Sequence, residues 1–251
     1  MTQDRGLASL RPMVHVTWMP NLDDRTAPTA SDLSEIDTWL FDLDNTLYPA
    51  KSGLFHQVHR RMGEFIQARL NLDPDAARAV QRRLFQDHGT TLRGLMTEYE
   101  VPPEAFLDYV HDIDVSVLTP NPGLARAIEE LPGRKLVFTN GSAGHAARIM
   151  DRLEISHAFD AVEDIVAANY EPKPNQAVYE RIIARHDIDP CRAVMVEDMA
   201  VNLEPAHALG MITVWVRTGH AVAAPSEIDD HIHHVVDDVF EWLQGLSFRS
   251  A

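Results

Sequence analysis

A single cysteine, Cys191, stands among 251 residues, so an internal disulfide is impossible and a thiolate-rich metal site cannot be assembled. Its apolar followers, Ala193 to Val196, place it in the expectation of a small core residue next to a buried strand. No apolar run approaches the roughly 20 residues that a membrane-spanning helix needs. The opening stretch MTQDRGLASLRPMVHVTW lacks the continuous apolar segment of a secretory signal. Basic residues are also scarce, 22 Lys and Arg against 38 Asp and Glu, for a formal net charge of −16. Such a surface repels nucleic-acid phosphates and anionic membranes. The expectation is therefore a cytoplasmic protein with neither a nucleic acid polymer nor a membrane as partner. A small anionic substrate stays open, because local groups and a metal can reverse the field inside a site.

Several catalytic signatures are missing too. Gly141 and Gly144 do not form G-x-G-x-x-G, which removes dinucleotide binding, and Ser142 lacks the G-x-S-x-G setting of a serine hydrolase nucleophile. The 13 histidines include the cluster His231, His233 and His234, yet no H-E-x-x-H occurs. An EF-hand reading of the stretch from Asp42 fails because Leu47 stands where the loop needs Gly, and Gly53 where it needs a bidentate Glu.

What is present has an orderly arrangement. Residues 1–36 show no sustained hydrophobic period and read as a loosely ordered extension. Thr38, Trp39, Leu40, Phe41 and Leu43 then form a short apolar run ending among Asp42 and Asp44, as a buried parallel strand would. From Gly53 the period becomes helical: Leu54, Phe55, Val58, Met62, Phe65, Ile66 and Leu70 share one face, with Arg60, Arg61 and Glu64 between them. Helices are expected again after Asp73-Pro74, over Leu92–Tyr99 and over Pro103–Ile113, with no strand among them. Beyond Pro120 helices and strands alternate, with strands over Lys135–Thr139, Ala161–Val166, Ala193–Glu197 and Ile212–Val216. That alternation predicts an α/β fold: a Rossmann-like core with a parallel sheet, residues 37–52 and 118–251, and an all-helical cap domain inserted over 53–117.

In such sheets ligands sit at the carboxyl ends of the strands, and four polar groups fall there. They are Asp42-Leu43-Asp44-Asn45-Thr46, Thr139-Asn140-Gly141-Ser142, Glu171-Pro172-Lys173-Pro174, and Glu197-Asp198. Carboxylates gathered at one edge cannot all stay ionised without a cation. Hard oxygen donors without thiolate favour magnesium, which keeps room in its shell for water and a substrate phosphate. Lys173, the Thr139 hydroxyl and backbone N–H groups of the Asp44–Leu47 turn can neutralise and hydrogen-bond a phosphoryl group. In the helical segment, His88-Gly89-Thr90-Thr91-Leu92-Arg93-Gly94 interrupts the helices with two glycines and offers hydroxyls and a guanidinium for substrate contact. His145 begins a helix close to the second group and is a further candidate for touching substrate.

The segments FDLDNTLYP, FTNG, EPKP and VEDMAVNLEPAHALGM resemble, in order and placement, the four motifs of the haloacid dehalogenase-like hydrolase superfamily. FDLDNTLYP, HGTTLRGL and VSVLTPNPGL more narrowly resemble the pyrimidine 5′-nucleotidase family. The resemblance implies phosphomonoester hydrolysis with Mg2+. Asp42 would be the nucleophile forming an aspartyl-phosphate, and Asp44 would protonate the leaving alkoxide and then activate water. Thr139 and Asn140 would bind the phosphoryl group, Lys173 would hold both that group and Asp42, and Asp42, the Asp44 carbonyl and Asp198 would hold the metal. The family often carries two aspartates where this chain has Glu197-Asp198. Thr91 and Arg93 are the expected cap contacts. The implied substrate is a pyrimidine nucleoside 5′-monophosphate, with another small phosphate ester (a sugar phosphate or phosphoglycolate) as the alternative, and an inactive relative that only binds a partner as the reading from another class.

Overall fold

The computed structural model describes Thr29 and residues 33–218 and 230–246. Most of the expected N-terminal extension lies outside these residues. Its end, however, belongs to the core: Leu33 and Ile36 are buried against the sheet, and Arg192 Nε donates to Asp37 at 2.7 Å.

Six strands form one sheet, every pairing parallel: β1 (Thr38–Phe41), β2 (Arg134–Phe138), β3 (Ala161–Glu163), β4 (Ala193–Glu197), β5 (Ile212–Val216) and β6 (His234–Val236). Their spatial order is β3-β2-β1-β4-β5-β6. β1 therefore lies at the point where the winding reverses, with β2 on one side and β4 on the other, and the crevice past its C-terminal end is where such sheets bind ligands.

The two-residue period of β1 explains how both sheet faces are covered. Trp39 and Phe41 enter one core with helices α5 (Pro122–Glu129), α6 (Ala143–Leu153) and α9 (Val239–Gly245), while Leu40 enters the other with α7 (Gln176–His186) and α8 (Leu203–Ala208). Parallel strands buried on both faces need continuous apolar runs, and β1 and β4 are buried at every position. At the opposite edge Gly133 takes φ +74°, and a Cβ there would lie 2.0 Å from the Asp37 carbonyl oxygen. No side chain fits there.

Between β1 and β2 stand α1 (Leu54–Leu70), α2 (Pro74–His88), α3 (Thr91–Tyr99) and α4 (Pro103–His111). Asp73 caps α2 by accepting from the Asp75 and Ala76 amides, with Pro74 in the first turn, a cap worth about 1 kcal/mol. The four helices share an apolar core of their own, including Val58, Ile66, Leu84, Leu95 and Phe106, which reaches the sheet domain through Ile165.

Two expectations need correcting. Cys191 is exposed, because Pro190 starts a 3-10 turn over Pro190–Arg192 and β4 begins only at Ala193. The strand expected over Ala161–Val166 ends at Glu163, where the chain turns with Asp164 accepting from the Ala143 and Ala167 amides.

Candidate active site

The chain leaves β1 directly into the site. Asp42 is still tied to the sheet by its N–H to the Val196 carbonyl at 2.9 Å, after which Leu43 accepts from the Thr46 and Leu47 amides. Asn45 takes φ 61° in this turn, a left-handed conformation that Asn tolerates better than most residues. The turn brings Asp44 back beside Asp42.

Lys173 sits at the centre of the arrangement, with 1% of its surface exposed. Its Nζ donates to Asp42 Oδ1 at 2.8 Å, to Glu197 Oε2 at 2.6 Å and to the Phe138 carbonyl at 2.8 Å. All three ammonium protons are thereby used, which is what a buried cation requires. Burial alone would discharge it, but Asp42 and Glu197 outweigh that and keep it protonated above the usual lysine range. The Asn140 side chain fixes the backbone of the same residue, accepting from the Lys173 N–H at 2.8 Å and donating to its carbonyl at 3.3 Å. Thr139 is buried, and its Oγ1 accepts from the Gly141 N–H at 2.9 Å. A Cβ on Gly141 would come within 3.2 Å of Thr139 Oγ1, 3.1 Å of the His145 ring and 3.7 Å of Asp44 Oδ2. The missing side chain keeps that small space between the three groups open.

Glu197 spends both oxygens inside the protein, one on Lys173 and the other on the Met199 N–H at 3.1 Å. Asp198 receives a long contact from Asn45 Nδ2, 3.4 Å, while its carbonyl accepts from Trp215 Nε1 at 2.9 Å. Carboxylate oxygens of Asp42, Glu197 and Asp198 lie within 4.8 Å of one another. Burial, with Glu197 beside it, pushes the Asp42 carboxyl up to about 7 against the pull of Lys173. Burial and the charges of Glu197 and Asp42 raise Asp198 well above the ordinary carboxylate range. One lysine does not neutralise three carboxylates. A hard divalent cation would, and this all-oxygen donor set suits it. Among the described residues this is the one group of His, Cys, Asp and Glu side chains that could hold a metal. The histidines near β6 have other partners: His231 Nε2 meets the Ala200 carbonyl at 3.0 Å, and His233 Nδ1 accepts from the Thr213 N–H at 3.1 Å.

Asp44 has a different environment. Tyr48 Oη donates to its Oδ1 at 2.6 Å, and His145 Nε2 lies 2.9 and 3.2 Å from its two oxygens. Burial works to raise this carboxyl, but His145 and the Tyr48 hydrogen bond together hold it below the usual carboxylate range. His145 stacks on His111, with ring centroids 4.1 Å apart and planes inclined by 15°. His111 is the last residue of α4, so the helical segment contributes to the site. The sequence marks His145 as a candidate substrate contact and gives no sign of His111. The available signal was positional: Ser142 caps α6 by accepting from the His145 N–H, which puts residue 145 in the first turn just past the β2 edge.

The remaining expected residues come close without joining the acidic cluster. Arg93 pairs with Glu171 at 2.8 Å, so it meets the loop that carries Lys173. Gly89 approaches the same loop, and a Cβ there would stand 3.6 Å from Pro172 Cγ. Thr91 is buried in the first turn of α3, behind the capping Thr90. His88 turns back to Glu98, 2.8 Å away.

Residues 36–210 match the haloacid dehalogenase-like hydrolase family. A glyceraldehyde 3-phosphate phosphatase from Methanocaldococcus jannaschii is 29% identical over 225 residues, covering 82% of this chain and 96% of that one. Phosphate metabolism protein 8 of Saccharomyces cerevisiae is 24% identical over 191 residues, covering 69% of this chain; the match spans only 59% of the yeast protein's length. The solved structure of an HAD phosphatase from Thermococcus onnurineus superposes with a TM-score of 0.56 at 16% identity, covering 83% of this chain and 97% of that one. At that identity the likeness concerns the fold.

Proposed function

The chain belongs to the haloacid dehalogenase-like hydrolase family, and from that premise we propose that it is a magnesium-dependent phosphatase of small phosphate monoesters. Asp42 is the nucleophile, forming an aspartyl-phosphate, and Asp44 serves the leaving group and the hydrolytic water. Within this reading residues 53–117 act as the cap.

The observation that carries the proposal is the separate housing of the two aspartates. Asp42 lies against Lys173, while Asp44 is hydrogen-bonded by Tyr48 and His145 beside the gap at Gly141. Displacing halide needs no proton donor, whereas an alkoxide leaving group does. A second carboxyl placed at the strand end serves the ester reaction. Without substrate Asp44 is ionised, ready to take a proton from water in the second step. The negative charge of an arriving phosphate raises its proton affinity for the first.

Lys173 holds the Asp42 carboxylate and neutralises the incoming phosphoryl oxygens, and Thr139 and Asn140 flank that group. The Asn140 side chain acts first through the Lys173 backbone it grips. Asp42 and Asp198, with the Asp44 carbonyl, would hold the magnesium, which would lower the repulsion between nucleophile and phosphate. Glu197, with both oxygens engaged, serves by anchoring Lys173.

The finer reading is a pyrimidine nucleoside 5′-monophosphate as substrate, with Thr91 and Arg93 on the cap side. It rests on the resemblance of FDLDNTLYP, HGTTLRGL and VSVLTPNPGL. The named activity of the archaeal relative supports a triose phosphate as second reading. A panel of nucleotides, sugar phosphates, phosphoglycolate and glyceraldehyde 3-phosphate, assayed with magnesium, decides between them. The pyrimidine reading requires the highest kcat/KM on UMP or CMP, and a clear preference for glyceraldehyde 3-phosphate overturns it.

A further inference from the structure

We propose that His145 is a positioning residue for Asp44, and that His111 makes this positioning depend on the seating of the helical segment against the sheet domain. The inference deepens the phosphatase reading and rests on Asp44 being the acid and base of that reaction.

The Asp44 carboxylate follows a turn, and its direction is set by two hydrogen bonds, from Tyr48 Oη and from His145 Nε2. Tyr48 belongs to the same turn and moves with it. His145 comes from α6, behind a different strand, and so fixes Asp44 relative to the second motif rather than to its own loop. The His145 ring is buried, and its Nδ1 has no hydrogen-bond partner among the described residues. A carboxylate can only accept, so Nε2 carries a hydrogen and donates it to Asp44.

What holds the ring in that orientation is the stack with His111. His111 in turn is held from the sheet side at two points. Its Nδ1 meets Ser142 Oγ at 2.9 Å, and its carbonyl accepts from Arg148 Nη2. Ser142 caps α6, the helix that carries His145 and Arg148. The end of α4 and the start of α6 are thereby locked together by three contacts around one ring pair. If α4 shifts away, His145 loses its stacking partner and its restraint on Asp44 loosens. The acid and base would then be aligned only when the helical segment is seated.

The test uses the full-length protein with magnesium and two esters that differ in leaving group, p-nitrophenyl phosphate and an alkyl phosphate. A poor leaving group needs a well-placed acid, and a good one does not. His145→Ala should lower kcat/KM on the alkyl ester, which reports the leaving-group step before the shared aspartyl-phosphate is hydrolysed, by about tenfold, the equivalent of one orienting hydrogen bond. On the nitrophenyl ester kcat/KM should fall much less. His145→Gln, which restores a donor near the Nε2 position, should recover most of the loss and also guards against a variant that fails to fold. His111→Ala should reproduce a milder version of the His145→Ala pattern, and His111→Phe, which keeps a ring in the stack but loses the Ser142 contact, should lose less than His111→Ala. Equal losses on both esters with no recovery in His145→Gln would overturn the proposal, since they would mark His145 as a packing residue. Asp44→Asn serves as the reference: if it does not discriminate between the esters, the assignment of Asp44 as acid fails, and the positioning role falls with it.

Discussion

Replacing Lys173 with Met tests the electrostatics of the site and separates stability from activity. The methionine fills nearly the same volume, so the dominant change is the loss of an ammonium 1% exposed that donates to Asp42, Glu197 and the Phe138 carbonyl. Two buried carboxylates then face each other without a counter-charge. Breaking a buried pair by removing one partner costs about 3–5 kcal/mol, a large share of the roughly 5–15 kcal/mol that holds a domain folded. The cost is capped because Asp42, already raised to about 7, takes up a proton once Lys173 is gone. Removing Glu197's charge as well, in Lys173→Met/Glu197→Gln, should return a kcal/mol or more, because the remaining charges are fewer. Activity should be lost in both variants, since neither has a cation to hold the nucleophile and the phosphoryl group. Urea unfolding at neutral pH in the presence of chelator measures the first quantity, and p-nitrophenyl phosphate turnover with magnesium the second. If Lys173→Met costs less than about 1 kcal/mol, or the double variant is no more stable than the single, the buried ion-pair account of this site is wrong.

Activity should require magnesium or manganese, vanish with chelator, and be poorly supported by calcium, whose larger and looser shell misplaces the nucleophile; Asp198→Asn should weaken the metal dependence curve at least tenfold, and full activity in excess chelator would contradict the metal assignment. Arg93→Ala and Thr91→Ala together should lower kcat/KM on the preferred phosphate ester by roughly tenfold through lost contacts and a loosened Glu171 loop, with a smaller change on p-nitrophenyl phosphate; equal losses would assign both residues to holding the helical segment in place. Burial, followed by the charges of His145 and Arg148 against the opposing pull of Asp44, lowers His111 to about 3, so below about 6.5 the unfolded chain binds a proton that the folded one refuses. Its contribution to stability is therefore complete above that pH and is lost as the pH falls towards 3. Between pH 7 and 5.5 the native protein should lose about 1.3 kcal/mol more than His111→Gln, and identical pH profiles of unfolding would refute the assignment.

Much of this site can be read from the order of residues alone, because it is built from strand ends. β1, β4 and β5 are short apolar runs that stop at polar residues, and the helical periods of α1 and α6 are unbroken, so their limits follow from pattern. Asp42, Asp44, Thr139, Lys173 and Glu197-Asp198 then come together because parallel strands place all their C-terminal ends on one edge. Contacts made across the molecule were less legible. His111 ends a helix with nothing local to mark it, and only the packing of α4 on α6 brings it over His145. β6, three residues opening with a histidine, has too little apolar sequence to read as a strand; its pairing with β5 makes it one. The resemblance implies Asn140 as a phosphoryl contact, but nothing in the sequence marks its side-chain grip on the Lys173 backbone, a partner 33 positions away.

The central claim is that Asp42 becomes covalently phosphorylated. The most direct measurement is an acid quench of the enzyme within one turnover of a radiolabelled phosphate ester, in the presence of magnesium, followed by peptide mapping. The account predicts acid-stable, hydroxylamine-sensitive label on the peptide containing Asp42, and neither label nor single-turnover hydrolysis in Asp42→Asn. Hydrolysis by Asp42→Asn at a near-native single-turnover rate, or label on another residue, would contradict it.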